Sequence, residues 1–213
     1  QTFRPLLPQR LKDKLPRQVH AAVARPTAQH ARRVLMLEGC VQPGLSPNTN
    51  AAAARVLDRL GISVTAVRQA GCCGAVDYHL DDQARGLQRA RHNIDAWWSD
   101  IEAGAEAIVQ TASGCGAFIK DYGHLLEQDP AYAAKAQTVS RLAKDLVEVL
   151  RDEPVERLAV HTDLRLAFHC PCTLQHAQKL GGVTEQLLRR LGFHLTDVPD
   201  GHLCCGSAGT YSV

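Results

Sequence analysis

The sequence predicts an α/β protein built as a tandem repeat of small parallel-sheet strand–helix units, with cysteine-bearing loops at the strand ends and the second repeat truncated. Three observations predict it. Short apolar runs alternate with helix-like stretches, a Cys-Cys-Gly motif closes the pattern twice, and the cysteines recur at a fixed interval. Cys40 precedes Cys72 by 32 positions, and Cys172 precedes Cys204 by the same number.

The first repeat opens at Val34 with a short apolar run that ends at Gly39-Cys40 and reads as a buried strand. Residues 50–60 form an Ala-rich helical stretch, Gly61 supplies its C-terminal stop, and residues 62–67 alternate like a second strand. That strand leads to Gly71-Cys72-Cys73-Gly74. Residues 81–102 and 130–151 are helical by period and composition, while residues 107–111 read as a strand that delivers Ser113-Gly-Cys115-Gly116.

The same order then returns. A strand at residues 166–169 runs into Cys170-Pro-Cys172, a helix-like stretch reaches Leu191, and residues 193–198 lead to Cys204-Cys205-Gly206. Arg59-Leu60-Gly61 matches Arg190-Leu191-Gly192, Thr65 matches Thr196 and Val67 matches Val198. Cys115 follows Cys72 by 43 positions, so its counterpart is expected near position 247, past Val213. With Gln1 rather than Met at its start, the sequence reads as a piece of a longer chain. The expected division is an arm at 1–33, a first cysteine-rich domain at 34–155 and an incomplete second one at 156–213.

The chain has 213 residues, 45% of them hydrophobic, which suffices for an ordinary core. No run approaches the roughly 18 apolar residues of a membrane span, and no signal segment opens the sequence, so a cytoplasmic protein is expected. A formal charge of +2 gives no reason to expect a nucleic-acid partner. Residues 1–33 hold eight Arg or Lys against the single acid Asp13, together with four prolines, and read as a linker or docking arm.

Eight cysteines exceed what packing requires, and the vicinal pairs Cys72-Cys73 and Cys204-Cys205 do not easily close on themselves. Thiolate ligation is the better reading for a reducing compartment. Soft thiolates collect iron–sulfur clusters or zinc, but structural zinc usually draws on Cys-x-x-Cys knuckles, which this chain lacks. Packed, unmetallated thiols would account for one or two positions, not for matched spacing in both copies. Cys170 is either a further ligand or a packed thiol. His169 and His176 either donate hydrogen bonds towards a cluster or are ordinary satisfied polar groups. Trp97-Trp98 reads as core, or else as a subunit contact, and Asp77, Tyr78 and His79 as turn and cap residues rather than proton carriers.

Residues 37–40 (Leu-Glu-Gly-Cys), 70–75 (Ala-Gly-Cys-Cys-Gly-Ala), 111–117 (Thr-Ala-Ser-Gly-Cys-Gly-Ala), 168–174 (Phe-His-Cys-Pro-Cys-Thr-Leu) and 203–211 carry a resemblance. The order of cysteines is similar to the cysteine-rich domain of heterodisulfide reductase B subunits and of iron–sulfur subunits of flavin-dependent dehydrogenases. Over nearly everything from Val34 onward the chain resembles the glycolate oxidase iron–sulfur subunit family in particular.

The resemblance implies that Cys40, Cys72, Cys73 and Cys115 hold a cluster in the first repeat, of 4Fe-4S type, while Cys172, Cys204 and Cys205 supply ligands in the second. It further implies FAD in a partner subunit that oxidises glycolate to glyoxylate, and onward passage of electrons towards an acceptor such as membrane quinone, at the periphery of the inner membrane. Lactate and glycerol-3-phosphate dehydrogenase relatives stay open as alternatives, as does catalytic disulfide cleavage of the heterodisulfide reductase kind. Where the fullest family pattern ends Cys-x-x-Cys, this chain has Cys115-Gly-Ala-Phe118, which puts a five-cysteine cluster in doubt.

Overall fold

In the computed structural model, residues 8, 9, 21–204 and 206 are described; most of the predicted basic arm and Cys205 lie outside them. Four strands form one parallel sheet: β1 (Arg32–Met36), β2 (Ile62–Ala66), β3 (Ile108–Gln110) and β4 (Ala143–Asp145), in the order β2-β1-β3-β4. Leu35 pairs with Thr65 on one side and with Ile108 on the other, so β1 is central. From Val34 onward its alternate side chains feed two separate cores, which explains why that stretch reads as a continuous apolar run.

On one face, Leu35 and Leu37 pack with Ala90, Ile94 and Trp97 of α4 (Gln83–Glu102), with Phe118 and Ile119 of α5 (Ser113–Lys120), and with Tyr122 of α6 (Tyr122–Leu125). Ala136 and Val139 of α7 (Ala133–Leu142) complete that layer. On the other face, Val34 and Met36 pack with Ala53 and Leu57 of α2 (Asn48–Arg59) and with Leu150 of α8 (Leu146–Arg151). Two short helices, α1 (Gln42–Leu45) and α3 (Ala75–His79), follow Cys40 and the first Cys-Cys-Gly.

The second unit is smaller. Strands β5 (Arg165–Ala167) and β6 (His194–Thr196) pair in parallel, joined through a π-helical turn at Thr173–Ala177 and α9 (Val183–Arg190). Ala167 stands opposite Thr196 as Leu35 stands opposite Thr65, so the two repeats share their register as well as their cysteine spacing. Leu187 of α9 packs into the Val34–Met36 core and joins the second unit to the first.

One expectation is corrected. The stretch 130–151 is not a continuous helix: α7 ends at Leu142, β4 takes Ala143–Asp145, and α8 follows at once. Pairing of Ala143 with Ile108 and of Asp145 with Gln110 overrides a sequence that has no β-branched residue to announce a strand. Asp145 then caps α8, accepting from Val147 N at 3.1 Å, while Glu148 accepts from Asp145 N at 2.8 Å. That reciprocal pair is a capping box, Asp145-x-x-Glu148, which starts the new helix directly after β4.

Of the arm expected at 1–33, residues 21–31 lie along the first unit without regular structure, Arg25 pairing with Glu38 at 2.7 Å and His30 with Asp58 at 2.9 Å. Arg32 and Arg33, however, belong to β1, where they pair with Ile62 and Ser63. Among the described residues, no helix is long and apolar enough to cross a membrane.

Candidate metal centre

β1 and β3 are neighbours, yet the chain leaves them towards opposite faces of the sheet, to α2 and to α5 respectively. A crevice at the carboxyl ends of such strands is where open α/β sheets place their sites. Cys40 lies just past β1, Cys72 and Cys73 past β2, and Cys115 in the first turn of α5 just past β3. Polar side chains hold these segments together: Gln42 Nε2 donates to Thr111 Oγ1 at 2.8 Å, Thr111 Oγ1 to Asn50 Oδ1 at 2.6 Å, and Asn50 Nδ2 to the Glu38 carbonyl at 3.1 Å.

The four thiols are close enough to act on one another in a continuous series: Cys40 interacts with Cys72, and Cys73 with both Cys72 and Cys115. The bond it donates to Cys115, and then burial, push the Cys73 thiol far above its ordinary range, while the same bond holds Cys115 down. Cys40 is exposed as a residue, yet partial desolvation raises its thiol, and its contact with Cys72 and the charges of Cys72 and Cys73 add to the effect. Negative charge collected on all four is therefore unfavourable without a cation among them. The Arg89 guanidinium, paired with Asp77, is also close enough to feel Cys72 and Cys40.

The loop that carries Cys72 and Cys73 is jammed against α4. Gly74 adopts φ +96°, and a Cβ there would lie 2.6 Å from the Gly86 carbonyl oxygen, so no other residue fits. The neighbouring side chains pair and pack rather than cap, contrary to the turn-and-cap expectation: Asp77 pairs with Arg85 and Arg89, and the Tyr78 and His79 rings pack on Phe118 at 5.4 and 5.6 Å. Phe118, where a further cysteine would fall in the fullest pattern, is buried in this aromatic cluster.

The second set of cysteines is arranged differently. Cys172 begins the π-helical turn and is half-buried, Cys204 is exposed, and Cys205 lies outside the described residues. His169 Nε2 bonds the Leu203 carbonyl at 3.1 Å and Gln175 Nε2 the Gly201 carbonyl at 3.2 Å, which brings the Cys204 loop towards the Cys172 segment. His169 thus behaves as a satisfied polar group, and His176 is exposed. Cys170 is buried with Leu174 and Leu180, the packed-thiol reading. Ser113 and Thr173 hydroxyls share a hydrogen bond of 2.7 Å, and Gln178 Nε2 donates to the Ser113 carbonyl at 2.9 Å, linking the Cys115 segment to the Cys172 segment. Trp97 is core, with no exposed surface.

The seven described cysteines are all free. Among the described residues no three His, Cys, Asp or Glu side chains close around a point that would ligate a single metal ion. For an iron–sulfur cluster, by contrast, the donor set in the first unit fits: four thiols from three segments, with no carboxylate or imidazole among them.

Residues 34–120 and 166–213 match a family described as Cysteine-rich domain, one segment in each repeat. The chain belongs to that family. Within the Cysteine-rich domain family it is 69% identical to the glycolate oxidase iron–sulfur subunit of Escherichia coli, over 99% of this chain and 52% of that protein. It is 29% identical to a probable glycolate oxidase iron–sulfur subunit of Bacillus subtilis, over 85% of this chain and 41% of that one. Lactate utilization protein A of Bacillus velezensis is 30% identical over 85% of this chain and 75% of its own length. The chain thus spans about half the length of the first two relatives, and the resemblance drawn from the cysteine motifs holds over nearly all of this sequence.

Proposed function

We propose that this chain is the cysteine-rich portion of an iron–sulfur subunit of a flavin-dependent glycolate oxidase, and that it relays electrons from FAD in a partner subunit to a downstream acceptor, membrane quinone being the candidate. The observation that carries the reading is the convergence of Cys40, Cys72, Cys73 and Cys115, as free thiols, at the carboxyl edge of one parallel sheet. The 69% identity to a named glycolate oxidase iron–sulfur subunit supports the choice of complex.

In this reading those four cysteines hold a 4Fe-4S cluster, residues 34–155 and 156–213 act as two cysteine-rich domains, and Cys172, Cys204 and Cys205 contribute a second ligand set. A cluster held there supplies reversible one-electron storage. The chain's own residues do the rest. The thiolates anchor it, burial of Cys73 excludes water, Arg89 sets a positive charge beside Cys40 and Cys72, and the Gln42–Thr111–Asn50 chain keeps two ligand segments in step. Electron relay asks for no acid, base or nucleophile. Disulfide cleavage at this site is disfavoured because Phe118 stands, buried, where the extra sulfur would be needed. The complex works on the cytoplasmic side, peripheral to the inner membrane.

The test is to purify the full complex anaerobically, measure iron, zinc and acid-labile sulfide, and assay glycolate against lactate. Iron and sulfide in cluster proportion, with electron paramagnetic resonance signals that appear on adding glycolate, are expected. Stoichiometric zinc without iron overturns the redox reading, and reduction by lactate alone overturns the assignment to glycolate oxidase.

A further inference from the structure

The Cys72-Cys73 loop owes its shape to two buried residues far away in sequence. Asn93, midway along α4, and Tyr122, which opens α6, are both fully buried. Asn93 Oδ1 accepts from Gly71 N at 2.8 Å, and its Nδ2 donates to the Cys72 carbonyl at 2.9 Å and to the Tyr122 hydroxyl at 3.3 Å. The Tyr122 hydroxyl in turn donates to the Cys73 carbonyl at 2.6 Å. Three consecutive backbone groups, from Gly71 to Cys73, are thereby gripped from behind by one closed network.

A packing role alone would not call for this. Buried amides and phenols are costly unless every polar atom finds a partner, and a satisfied network fixes one geometry where an apolar core would tolerate several. Here the side-chain oxygen and both amide hydrogens of Asn93 are used, and they are used on the backbone that presents the two thiols. Gly74, pressed against Gly86, closes the loop's other end.

We propose that Asn93 and Tyr122 are positioning residues for the first metal centre: they hold the Gly71–Cys73 backbone so that both thiols face Cys40 and Cys115 before any metal arrives. Neither touches the metal in this account; they act through the loop. The inference rests on the iron–sulfur reading and adds to it the residues that preorganise two of the four ligands.

The test uses the full complex, purified anaerobically as wild type, Asn93→Ala, Tyr122→Phe and, as control, Ser140→Ala. Ser140 accepts from Gly123 N at 2.8 Å and donates to the Ile119 carbonyl at 3.2 Å, so its loss removes comparable hydrogen bonds beside α6 without touching the loop. Tyr122→Phe keeps the ring that packs edge-on against Phe118 at 5.8 Å. Iron release to a chelator, the resonance line shape and the thermal midpoint are read for each. Release about tenfold faster in both loop variants, the equivalent of one net hydrogen bond, with a broadened or altered resonance, is expected. Ser140→Ala should lower the midpoint similarly yet keep the wild-type release rate and spectrum. Loop variants that match Ser140→Ala in release and line shape overturn the inference, whereas wild-type protein without iron overturns the cluster reading itself.

Discussion

The two repeats share a strand register and a cysteine spacing but differ in how firmly they hold their thiols. In the first, four strands are covered on both faces, three thiol-bearing segments converge, and a buried network backs the Cys-Cys-Gly loop. In the second, two strands with largely exposed or half-buried residues carry Cys204, which is exposed as Cys40 is. Its loop, however, is tied among the described residues by side-chain contacts from His169 and Gln175 to backbone carbonyls rather than by a buried network. A ligand site is preorganised to the extent that its supporting sheet is complete, because the segments that carry ligands take their positions from strand ends and from the helices packed behind them.

The sharpest way to break that comparison is to remove one thiol from each unit. Cys73→Ser should abolish the iron signal of the first site, whereas Cys204→Ser should leave that signal intact and alter the remainder; iron content with paramagnetic resonance reads both. Equal effects on one common signal would show that the two sets form a single site. Next in size come two equivalent glycines. Gly61 and Gly192 both end helices at positive φ, but a Cβ at Gly61 meets open space whereas one at Gly192 would lie 2.4 Å from the Val160 carbonyl oxygen. Gly61→Ala should cost about 1 kcal/mol of left-handed strain, and Gly192→Ala about 3 kcal/mol with the clash added, as judged by denaturant midpoints. Smallest is the link between the units: Ser113→Ala removes the part-buried bond to Thr173 and should lower stability by about 0.5 kcal/mol while both iron signals persist.

Much of the first unit was legible in the sequence, for physical reasons. β1 is buried on both faces from Val34 onward and so reads there as an apolar run, β2 ends the helix-stop-strand pattern after Gly61, and the cysteines mark the strand ends. β4 was not legible, since Ala143-Lys144-Asp145 becomes a strand only because β3 offers a partner edge. The five-residue α3 is too short to show a period. Among the site residues, the thiols announced themselves by spacing, whereas spacing left Cys170 open and only the structure shows it buried with Leu174 and Leu180. Asn93 and Tyr122 gave no signal at all: a polar residue within a helix and a tyrosine at the start of another reveal nothing of the backbone they reach, 21 to 49 positions away.

The most direct test of the central claim is a crystal structure of the full-length subunit with diffraction recorded on both sides of the iron absorption edge. The account predicts an iron anomalous peak bonded to the sulfurs of Cys40, Cys72, Cys73 and Cys115. A map with no iron there, or one in which those four sulfurs are joined as disulfides, would contradict it.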